Sequence, residues 1–161
     1  MEPRPSVLFV CLGNICRSPL AEAAFRRRAA EVGLCADADS AGTAAYHVGS
    51  PPDERSIAEA AKHGIDITSY KGRQVQIRDF LRFTHILALD HTNLLNLQRI
   101  APPDGTARVG LLLDAVPGRE GAAVADPYYG GEENFRDTWE DVDMAARALV
   151  ERFTAATAST A

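Results

Sequence analysis

The sequence predicts an α/β fold: a single-domain, doubly wound and mostly parallel sheet of about four strands, with helices on both faces. Short apolar segments alternate with segments of helical periodicity, which is the pattern of βαβ units. The apolar segments are continuous, as in strands that are buried on both faces. The chain has 161 residues, of which 46% are hydrophobic. That length suits one core, so we expect residues 1–161 to form one domain.

The first predicted unit is a strand, a tight loop and a helix. Ser6–Val10 is apolar and rich in β-branched residues, which favours a strand. The turn-like segment Cys11–Cys16 follows, and a helix is expected from Pro19 to a stop at Gly33. The apolar residues of that helix recur at helical spacing: Ala21, Phe25, Ala29 and Val32.

A second, weaker strand and a second helix are predicted next. The strand covers Ala36–Ala41. Ser50 is expected to cap the helix, because two prolines and an acidic residue follow it directly. The apolar residues of this helix are Ile57, Ala60 and Ala61, and the helix is expected to stop near Gly64.

The remaining half of the chain continues the alternation. Thr84–Leu89 and Arg108–Leu113 are predicted strands, and Asp90 is placed to cap a helix over Asn93–Ile100. A final helix is expected from an apolar stripe formed by Phe135, Trp139, Val142, Ala146, Leu149 and Phe153. The Thr/Ala-rich segment 154–161 has little to pack against, so we expect a loose tail.

Composition limits the classes of function. The net charge of -5 excludes a broad positive field, so neither nucleic acid nor an anionic membrane is expected as a partner. The three cysteines cannot all pair, which favours a reducing, cytoplasmic compartment. The apolar segment Val7–Val10 is too short for a signal sequence or membrane span. No surface stripe suggests an interface, so we expect a monomer.

The loop after the first strand has the composition of an anion-binding site. Residues 11–18 are Cys-Leu-Gly-Asn-Ile-Cys-Arg-Ser. A loop that leaves a strand and begins a helix can direct backbone N–H groups at an anion, and the helix N-terminus adds partial positive charge. Gly13 and Asn14 tolerate the positive φ that such a loop requires. Arg17 offers a planar fork for two phosphate oxygens. The sequence therefore predicts a phosphate-binding loop after strand 1.

Cys11 lies at the start of this loop and is the candidate nucleophile. The donors that bind a phosphate dianion also favour a thiolate, and the Ser18 hydroxyl is placed to stabilise it. The alternative is a buried structural cysteine in an ordinary βα loop. Walker-type and dinucleotide-binding glycine patterns are absent from the sequence. The spacing of Cys11 and Arg17 alone does not decide between the two, but the preceding strand, the Gly-Asn and Ser-Pro pairs and the following helix favour the catalytic interpretation.

The other two cysteines have different expectations. Cys16 is either a small core residue or a resolving thiol that forms a reversible disulfide with oxidised Cys11. Cys35 has no evident partner and is expected to be structural.

A phosphocysteine mechanism needs a proton donor for the leaving oxygen, and Asp126 is the candidate. It begins the segment Asp-Pro-Tyr-Tyr-Gly-Gly, a proline- and glycine-punctuated loop ahead of the last helix. Pro127 restricts the Asp126 backbone to extended conformations, which helps fix the carboxylate. Tyr128 and Tyr129 are candidates for the wall of a slot for a flat ring. The alternative is an Asp-Pro turn with incidental aromatics.

These motifs resemble a known family. Residues 7–22, Val-Leu-Phe-Val-Cys-Leu-Gly-Asn-Ile-Cys-Arg-Ser-Pro-Leu-Ala-Glu, resemble the signature of low-molecular-weight protein tyrosine phosphatases. The segment Asp126–Tyr129 resembles the general-acid loop of the same family. Intermediate landmarks also match at Ser40–Thr43 and at Leu89–Leu94. The resemblance covers Ser6 to Phe153.

The resemblance implies a mechanism and a substrate. Cys11 forms a cysteinyl-phosphate, and Asp126 protonates the leaving phenolate and then activates water. Arg17 and the loop amides of Leu12, Gly13, Asn14, Ile15 and Cys16 bind the phosphate oxygens. Asn14, Ser18 and Ser40 form the network that supports the loop. The implied partner is a phosphotyrosine-containing protein, and neither a cofactor nor a metal is implied.

Two departures from the family pattern are visible. Many members carry tryptophan on the loop flanking the slot, where this chain has Tyr46 followed by His47. A histidine often found in the loop-supporting network is replaced around Ser69-Tyr70. An aromatic wall is retained at Tyr46, whereas the loop support is expected to be built differently.

Two rival functions remain. An arsenate reductase of the same fold, coupled to thioredoxin or glutaredoxin, would share residues 11–18 but needs two further reducing cysteines. No cysteine follows Cys35. A non-catalytic phosphotyrosine-binding module would need the loop and Arg17 but has no use for Cys11 together with Asp126.

Overall fold

Four parallel strands form the centre of the computed structural model, which describes residues 4–159. They are β1 (Ser6–Cys11), β2 (Asp37–Gly42), β3 (His85–Ala88) and β4 (Arg108–Leu111). Their order across the sheet is β2-β1-β3-β4, so β1 pairs with both β2 and β3. The parallel, doubly wound sheet predicted from the sequence is confirmed.

Helices cover both faces of the sheet. They are α1 (Arg17–Glu31), α2 (Glu54–Lys62), α3 (Asp79–Arg82), α4 (His91–Ile100) and α5 (Glu132–Ser159). α1 packs against α5 and α2 on one face, together with a 3-10 turn at Leu112–Ala115. α4 packs on the other face, against β3 and β4, and Phe80 of α3 lies in the same core cluster.

Both faces of β1 are buried, which explains why its sequence is continuously apolar. Its alternate residues Val7, Phe9 and Cys11 lie in one core cluster, with Phe25 of α1 and Phe153 of α5. Leu8 and Val10 lie in the other cluster, with Phe80 of α3 and Leu97 of α4. Each fully buried side chain of this size stabilises the fold by about 1.5–3 kcal/mol. Both faces of β1 are therefore fixed, which also fixes the point at which the following loop leaves the sheet.

The strand register brings the carboxyl ends of the central strands together. Cys11 lies opposite Gly42 of β2, and Val10 lies opposite Ala88 of β3. Backbone bonds continue beyond the strands, since Thr43 N–H donates to Cys11 O at 3.0 Å. In open parallel sheets this edge is where ligands bind.

The first two helices differ in detail from the sequence prediction. α1 begins at Arg17 rather than Pro19, and Val32 lies beyond its last turn with 59% of its surface exposed. The stop at Gly33 is confirmed by its φ of 68°. Ser50 does not cap α2; Asp53 does, and its carboxylate accepts from Arg55 N–H at 2.9 Å. The prolines therefore lie ahead of the helix.

The second half of the chain also differs in places. Asp90 caps α4 as predicted, accepting from Asn93 N–H at 2.8 Å. The predicted strand 108–113 ends at Leu111, because the chain turns there into the 3-10 segment. Helix α5 continues to Ser159, through part of the segment 154–161 expected to be a loose tail. Residues 160–161 of that segment lie outside the described part, and the tail stays a prediction.

Candidate active site

Asn14 fixes the loop between β1 and α1. Its φ is 59°, as predicted for this position. Its buried side chain donates from Nδ2 to Ser18 Oγ at 2.8 Å, and its Oδ1 accepts from Arg73 N–H at 3.0 Å. Both ends of the amide are thus used, and the loop is tied to α1 on one side and to the segment after α2 on the other.

Gly13 serves a different purpose from the one predicted. Its φ is not positive, so that prediction is wrong. A Cβ at this position would lie 3.1 Å from His47 Cδ2, so any larger residue would displace the His47 side chain. Glycine is required more strictly at Gly42, because a Cβ there would lie 2.7 Å from the backbone oxygen of Leu12. Both glycines let neighbouring loops pack directly against the loop that begins at Cys11.

The N-terminus of α1 meets this loop without a side-chain cap. Its N-cap residue, Cys16, makes no capping hydrogen bond, and the first turn of α1 contains no acidic residue. The first amides of a helix have no intrahelical acceptor, and the helix dipole adds partial positive charge there. The backbone N–H groups of the loop and of the first turn are therefore available to donate hydrogen bonds to an anion.

Cys11 ends β1 with its sulfur beside Ser18. Sγ lies 3.0 Å from Ser18 Oγ, and Cys11 is 3% exposed. Ser18 Oγ already accepts from Asn14 Nδ2, which leaves its own proton directed at the sulfur. A hydroxyl donor in this place stabilises a thiolate more than a thiol.

Arg17 is buried at the bottom of the site. Its Nη1 donates to Asp90 Oδ2 at 2.8 Å and to Val124 O at 2.9 Å. Its Nε and Nη2 make no hydrogen bond to the described residues, and Nη2 lies 3.8 Å from Asp126 Oδ2. One nitrogen thus anchors the guanidinium, and the other two remain for a planar oxyanion contact.

Asp126 lies across the cleft from the loop. Its Oδ1 accepts from Tyr128 N–H at 3.1 Å, while its other oxygen is the one that faces Arg17. The side chain is 49% exposed, so it is open to solvent and to a bound molecule. The chain is held on either side, because Val124 N–H donates to Leu89 O and Pro127 is buried.

These groups line one cleft of about 260 Å³. Its floor comes from the loop, and its walls include the candidate slot residues Tyr46, Tyr128 and Tyr129, with His47 and Asp126. Tyr46 is 77% exposed and Tyr129 is 97% exposed. The rings of Tyr128 and Tyr129 meet edge to face with centroids 5.0 Å apart. The cleft has an anion-binding floor and an aromatic rim.

Comparison with known proteins identifies the family. The model for low molecular weight phosphotyrosine protein phosphatases matches residues 6–159. The chain belongs to this family.

Relatives of the family align with almost the whole chain. A low molecular weight phosphotyrosine protein phosphatase of Schizosaccharomyces pombe is 44% identical over 142 residues, 86% of this chain and 90% of that protein. The Homo sapiens protein of the same name is 38% identical over 150 residues, 91% of this chain and 94% of its own length. The crystal structure of YfkJ from Bacillus subtilis has a TM-score of 0.87 at 39% identity, covering 95% of this chain and 96% of that chain. The family resemblance predicted from the sequence is confirmed.

Ser40 does not contact the Asn14–Ser18 pair of this phosphatase fold. Its hydroxyl donates to Glu22 Oε1 at 2.8 Å, because β2 directs it toward α1. Burial raises the pKa of Glu22, which Arg26 and Ser40 partly offset. Tyr70 is half-buried nearby, and burial, followed by the charge of Glu22, raises its pKa to about 12. Ser40 therefore belongs to a separate polar cluster with Glu22 and Tyr70.

The two remaining cysteines differ in burial. Cys16 is buried at the start of α1, and burial, followed by the charges of Asp53 and Cys11, raises the pKa of its thiol to about 12. Both it and Cys11 are free thiols that line the same cleft. Cys35 is also a free thiol but is exposed, so the expectation that it is structural is wrong.

Several residues of the site were not assigned to it from the sequence. Asp90 was predicted only as a helix cap, although it also binds Arg17. Arg55 lies over the rings of Tyr128 and Phe135, at 5.6 Å and 4.5 Å, and donates to Gly130 O at 3.1 Å. Arg73 positions Asn14 through its backbone, and its side chain pairs with Asp39 and Asp79 at 3.0 Å. The Leu-Asp-x-x-Asn landmark was the one available signal, and it pointed to Asp90.

Over the described part of the chain, no three His, Cys, Asp or Glu side chains group as a metal site would require. The absence of a metal or cofactor from the mechanism stays a prediction. None of the helices in residues 4–159 combines the length and apolarity needed to cross a bilayer.

Proposed function

We propose that the protein is a tyrosine phosphatase that hydrolyses phosphotyrosine monoesters through a cysteinyl-phosphate intermediate. The observation that carries the proposal is the convergence of Cys11, Arg17 and Asp126 on one cleft. The family and the names of its aligned relatives support the same substrate class. The side chains that would carry out each step line or adjoin this cleft.

The first step transfers the phosphoryl group to sulfur. The Cys11 thiolate attacks phosphorus, the bond from phosphorus to the tyrosine oxygen breaks, and Asp126 gives its proton to that oxygen. The equatorial oxygens accept from Arg17 and from the backbone amides of the loop, at Leu12, Gly13, Asn14, Ile15, Cys16 and Arg17. Ser18 stabilises the thiolate before attack, at 3.0 Å from Sγ.

The second step releases phosphate. Asp126, now ionised, takes a proton from a water molecule that attacks the phosphorus of the cysteinyl-phosphate. The bond between sulfur and phosphorus breaks, and the thiolate of Cys11 is restored. Since Asp126 faces the cleft and is half-exposed, both the phenolic oxygen and water can reach it.

The substrate slot and the setting of the enzyme are parts of the same proposal. Tyr46, Tyr128 and Tyr129 contact the phenyl ring or the peptide around it, because they form the exposed rim of the cleft.

The partner is a phosphotyrosine-containing protein, and the net charge of -5 argues against nucleic acid or an anionic membrane. The free thiols support a reducing, cytoplasmic compartment. We expect a monomer that uses no metal or organic cofactor.

Asp126→Ala tests the reaction and its acid. We expect metal-free hydrolysis by the parent, and a fall in kcat of about 10²–10⁴-fold for a phosphotyrosine peptide in the variant. The fall should be smaller for para-nitrophenyl phosphate, whose leaving group needs less protonation. Steady-state kinetics on both substrates measure this, with Asp137→Ala as the control, because Asp137 is an exposed aspartate of α5. An equal fall in kcat for both substrates would show that Asp126 is not the general acid.

Cys11→Ser separates the phosphatase from its rivals. A phosphatase loses turnover in this variant and still binds phosphate through the loop. Retained turnover would contradict the covalent mechanism. Phosphotyrosine binding with no turnover in the parent would favour a binding module, and thiol-dependent arsenate reduction by the parent would favour the arsenate reductase.

A further inference from the structure

A second cleft lies at the opposite end of the sheet from Cys11. It has a volume of about 490 Å³, and we call it the amino-end cleft. The amino ends of β3 and β4, the segment before β1 and the last turns of α5 surround it. Its lining includes Arg82, Phe83, His85, Arg108, Arg152 and Phe153.

The amino-end cleft concentrates positive charge. Arg82, Arg108 and Arg152 converge on it from three different elements, and no acidic side chain is among its described lining residues. None of the three forms an ion pair with a described carboxylate. Other arginines of the chain do form close ion pairs, as Arg28 does with Asp143 at a distance of 2.7 Å. In a chain with a net charge of -5, three converging arginines without carboxylate partners indicate an anion site.

His85 lies among these cations in a defined orientation. Thr84 Oγ1 donates to Ser6 O at 2.8 Å, so its single proton is used. It must therefore accept from His85 Nδ1–H, which lies 2.8 Å away. Burial lowers the pKa of His85, and the charges of Arg108 and Arg152 lower it further. His85 is thus fixed by its Nδ1 and reports on the charge within the cleft.

The rest of the amino-end cleft is apolar and aromatic. Phe153 is buried beside His85, with ring centroids 5.0 Å apart. Phe83 is buried beneath Arg82, whose guanidinium carbon lies 5.1 Å from the ring centroid. An apolar wall beside a cationic rim matches a ligand that has one apolar and one anionic end.

We propose that the amino-end cleft binds an amphipathic organic anion, a flat apolar body that carries a phosphate or carboxylate group. The apolar body packs against Phe83 and Phe153, and the anionic group bonds to Arg108 and Arg152. The site is separate from the catalytic cleft, because β1 runs from Ser6 near one to Cys11 at the other, about 17 Å. Tyrosine dephosphorylation makes no use of it.

The first test follows the ring protons of His85 by NMR while the catalytic cleft is filled with stoichiometric vanadate. The probes are 1-naphthylacetate, 1-naphthylmethylphosphonate and the neutral 2-(1-naphthyl)ethanol. We expect either anion to shift His85 saturably below about 1 mM and to raise the midpoint of its titration. The tighter of the two anions then identifies the preferred group. No shift, or an equal shift with the neutral alcohol, would overturn the proposal.

Paired variants make the assignment specific. The double variant Arg108→Gln/Arg152→Gln should weaken the anion about tenfold or more, because charge-assisted bonds are lost. The control is Arg99→Gln/Arg136→Gln, which removes the same charge from two exposed arginines outside both clefts. Circular dichroism confirms that both double variants fold, and para-nitrophenyl phosphate hydrolysis should match the parent in both. Equal affinity in the two double variants would overturn the proposal.

Discussion

Arg17 shows how one residue can be both buried and available. A guanidinium that is 3% exposed needs partners for its charge. Asp90 and Val124 supply them, and both bind Nη1. The anchored nitrogen fixes the plane of the guanidinium. Nε and Nη2 are therefore already oriented for a phosphate, and binding costs little conformational entropy. Asp90 is therefore expected to act on catalysis through Arg17, as a positioning residue.

The variant Asp90→Asn tests this role. It keeps an oxygen that can cap α4 and removes the charge that binds Arg17. We expect kcat/KM to fall about tenfold to a hundredfold, the worth of a charge-assisted hydrogen bond, and the free energy of unfolding to fall by about 1–3 kcal/mol, because the buried Arg17 loses its charged partner. Steady-state kinetics and urea unfolding measure the two quantities. Unchanged kcat/KM would show that Val124 alone positions the guanidinium.

Cys16 remains the candidate resolving thiol. Mild peroxide should convert the Cys11 thiolate to a sulfenic acid. The Cys16 thiol then condenses with this sulfenic acid to give a disulfide and water. Because the pKa of Cys16 is raised to about 12, the resting thiol is neutral and is not itself the peroxide target. We expect parent activity to return with dithiothreitol and Cys16→Ser to recover much less after the same exposure. Equal recovery, or a mass spectrum without the Cys11–Cys16 disulfide, would contradict this.

The structure brings predicted site residues together where local chemistry decides their placement, and their roles stay predictions. Cys11 ends β1 while Arg17 and Ser18 begin α1, and their proximity followed from the short loop between the two elements. Asp126 was placed by its own motif and by the family resemblance. Ser40 was misplaced because its partner depends on which face of β2 meets α1, a tertiary fact. Gly13 was misinterpreted for the same reason, because its role is a close contact with His47 of another loop.

At the scale of elements, burial made the strands easy to predict. Both faces of β1 are covered, so its apolar run is unambiguous, and the caps at Asp90 and Gly33 are local signals. α3 has four residues, too few to display a period, and it was missed. The cap of α2 was misassigned because Ser50 and Asp53 are both good cap residues, and the prolines between them fit either choice.

Asp53 offers a test of that cap and of its charge. Its carboxylate pairs with the Arg55 side chain at 3.0 Å and also accepts from Arg55 N–H, and these bonds lower the pKa of Asp53. Stability from the charge is therefore present above the unfolded pKa of about 3.9 and is lost as pH falls through the lower folded value. We expect Asp53→Asn to cost about 0.5–1 kcal/mol at pH 7, since the pair is partly exposed.

The same substitution should cost less at pH 3, where the parent carboxylate begins to protonate. Asp53→Ala should cost about 1 kcal/mol more than Asp53→Asn at either pH, because it also removes the cap. Urea unfolding at the two pH values measures all three proteins. A cost of Asp53→Asn that does not change with pH would show that the ion pair contributes nothing and that the cap alone stabilises α2.

The whole molecule gathers its elements around the catalytic loop. α2 reaches it through Asp53 N–H, which donates to Ile15 O at 2.8 Å. The segment before α3 reaches it through Arg73, and α4 reaches it through Asp90. An oxyanion in the loop therefore binds a conformation that exists only when the sheet and these helices are assembled. Such a ligand has no comparable site on the unfolded chain.

Inorganic phosphate should consequently stabilise the entire fold. A ligand at a hundred times its Kd adds about 2.7 kcal/mol, which raises Tm by roughly 5–10 °C in a chain of this length. Differential scanning fluorimetry in phosphate, compared with chloride at equal ionic strength, measures the shift. Cys11→Ser should keep most of it, because amides and Arg17 bind the oxyanion, whereas Arg17→Ala should lose it and Arg99→Ala should not. A full shift in Arg17→Ala would mean that phosphate stabilises the protein from a site outside the catalytic loop. The amino-end cleft is not expected to be that site, because its ligand needs an apolar body as well as an anionic group.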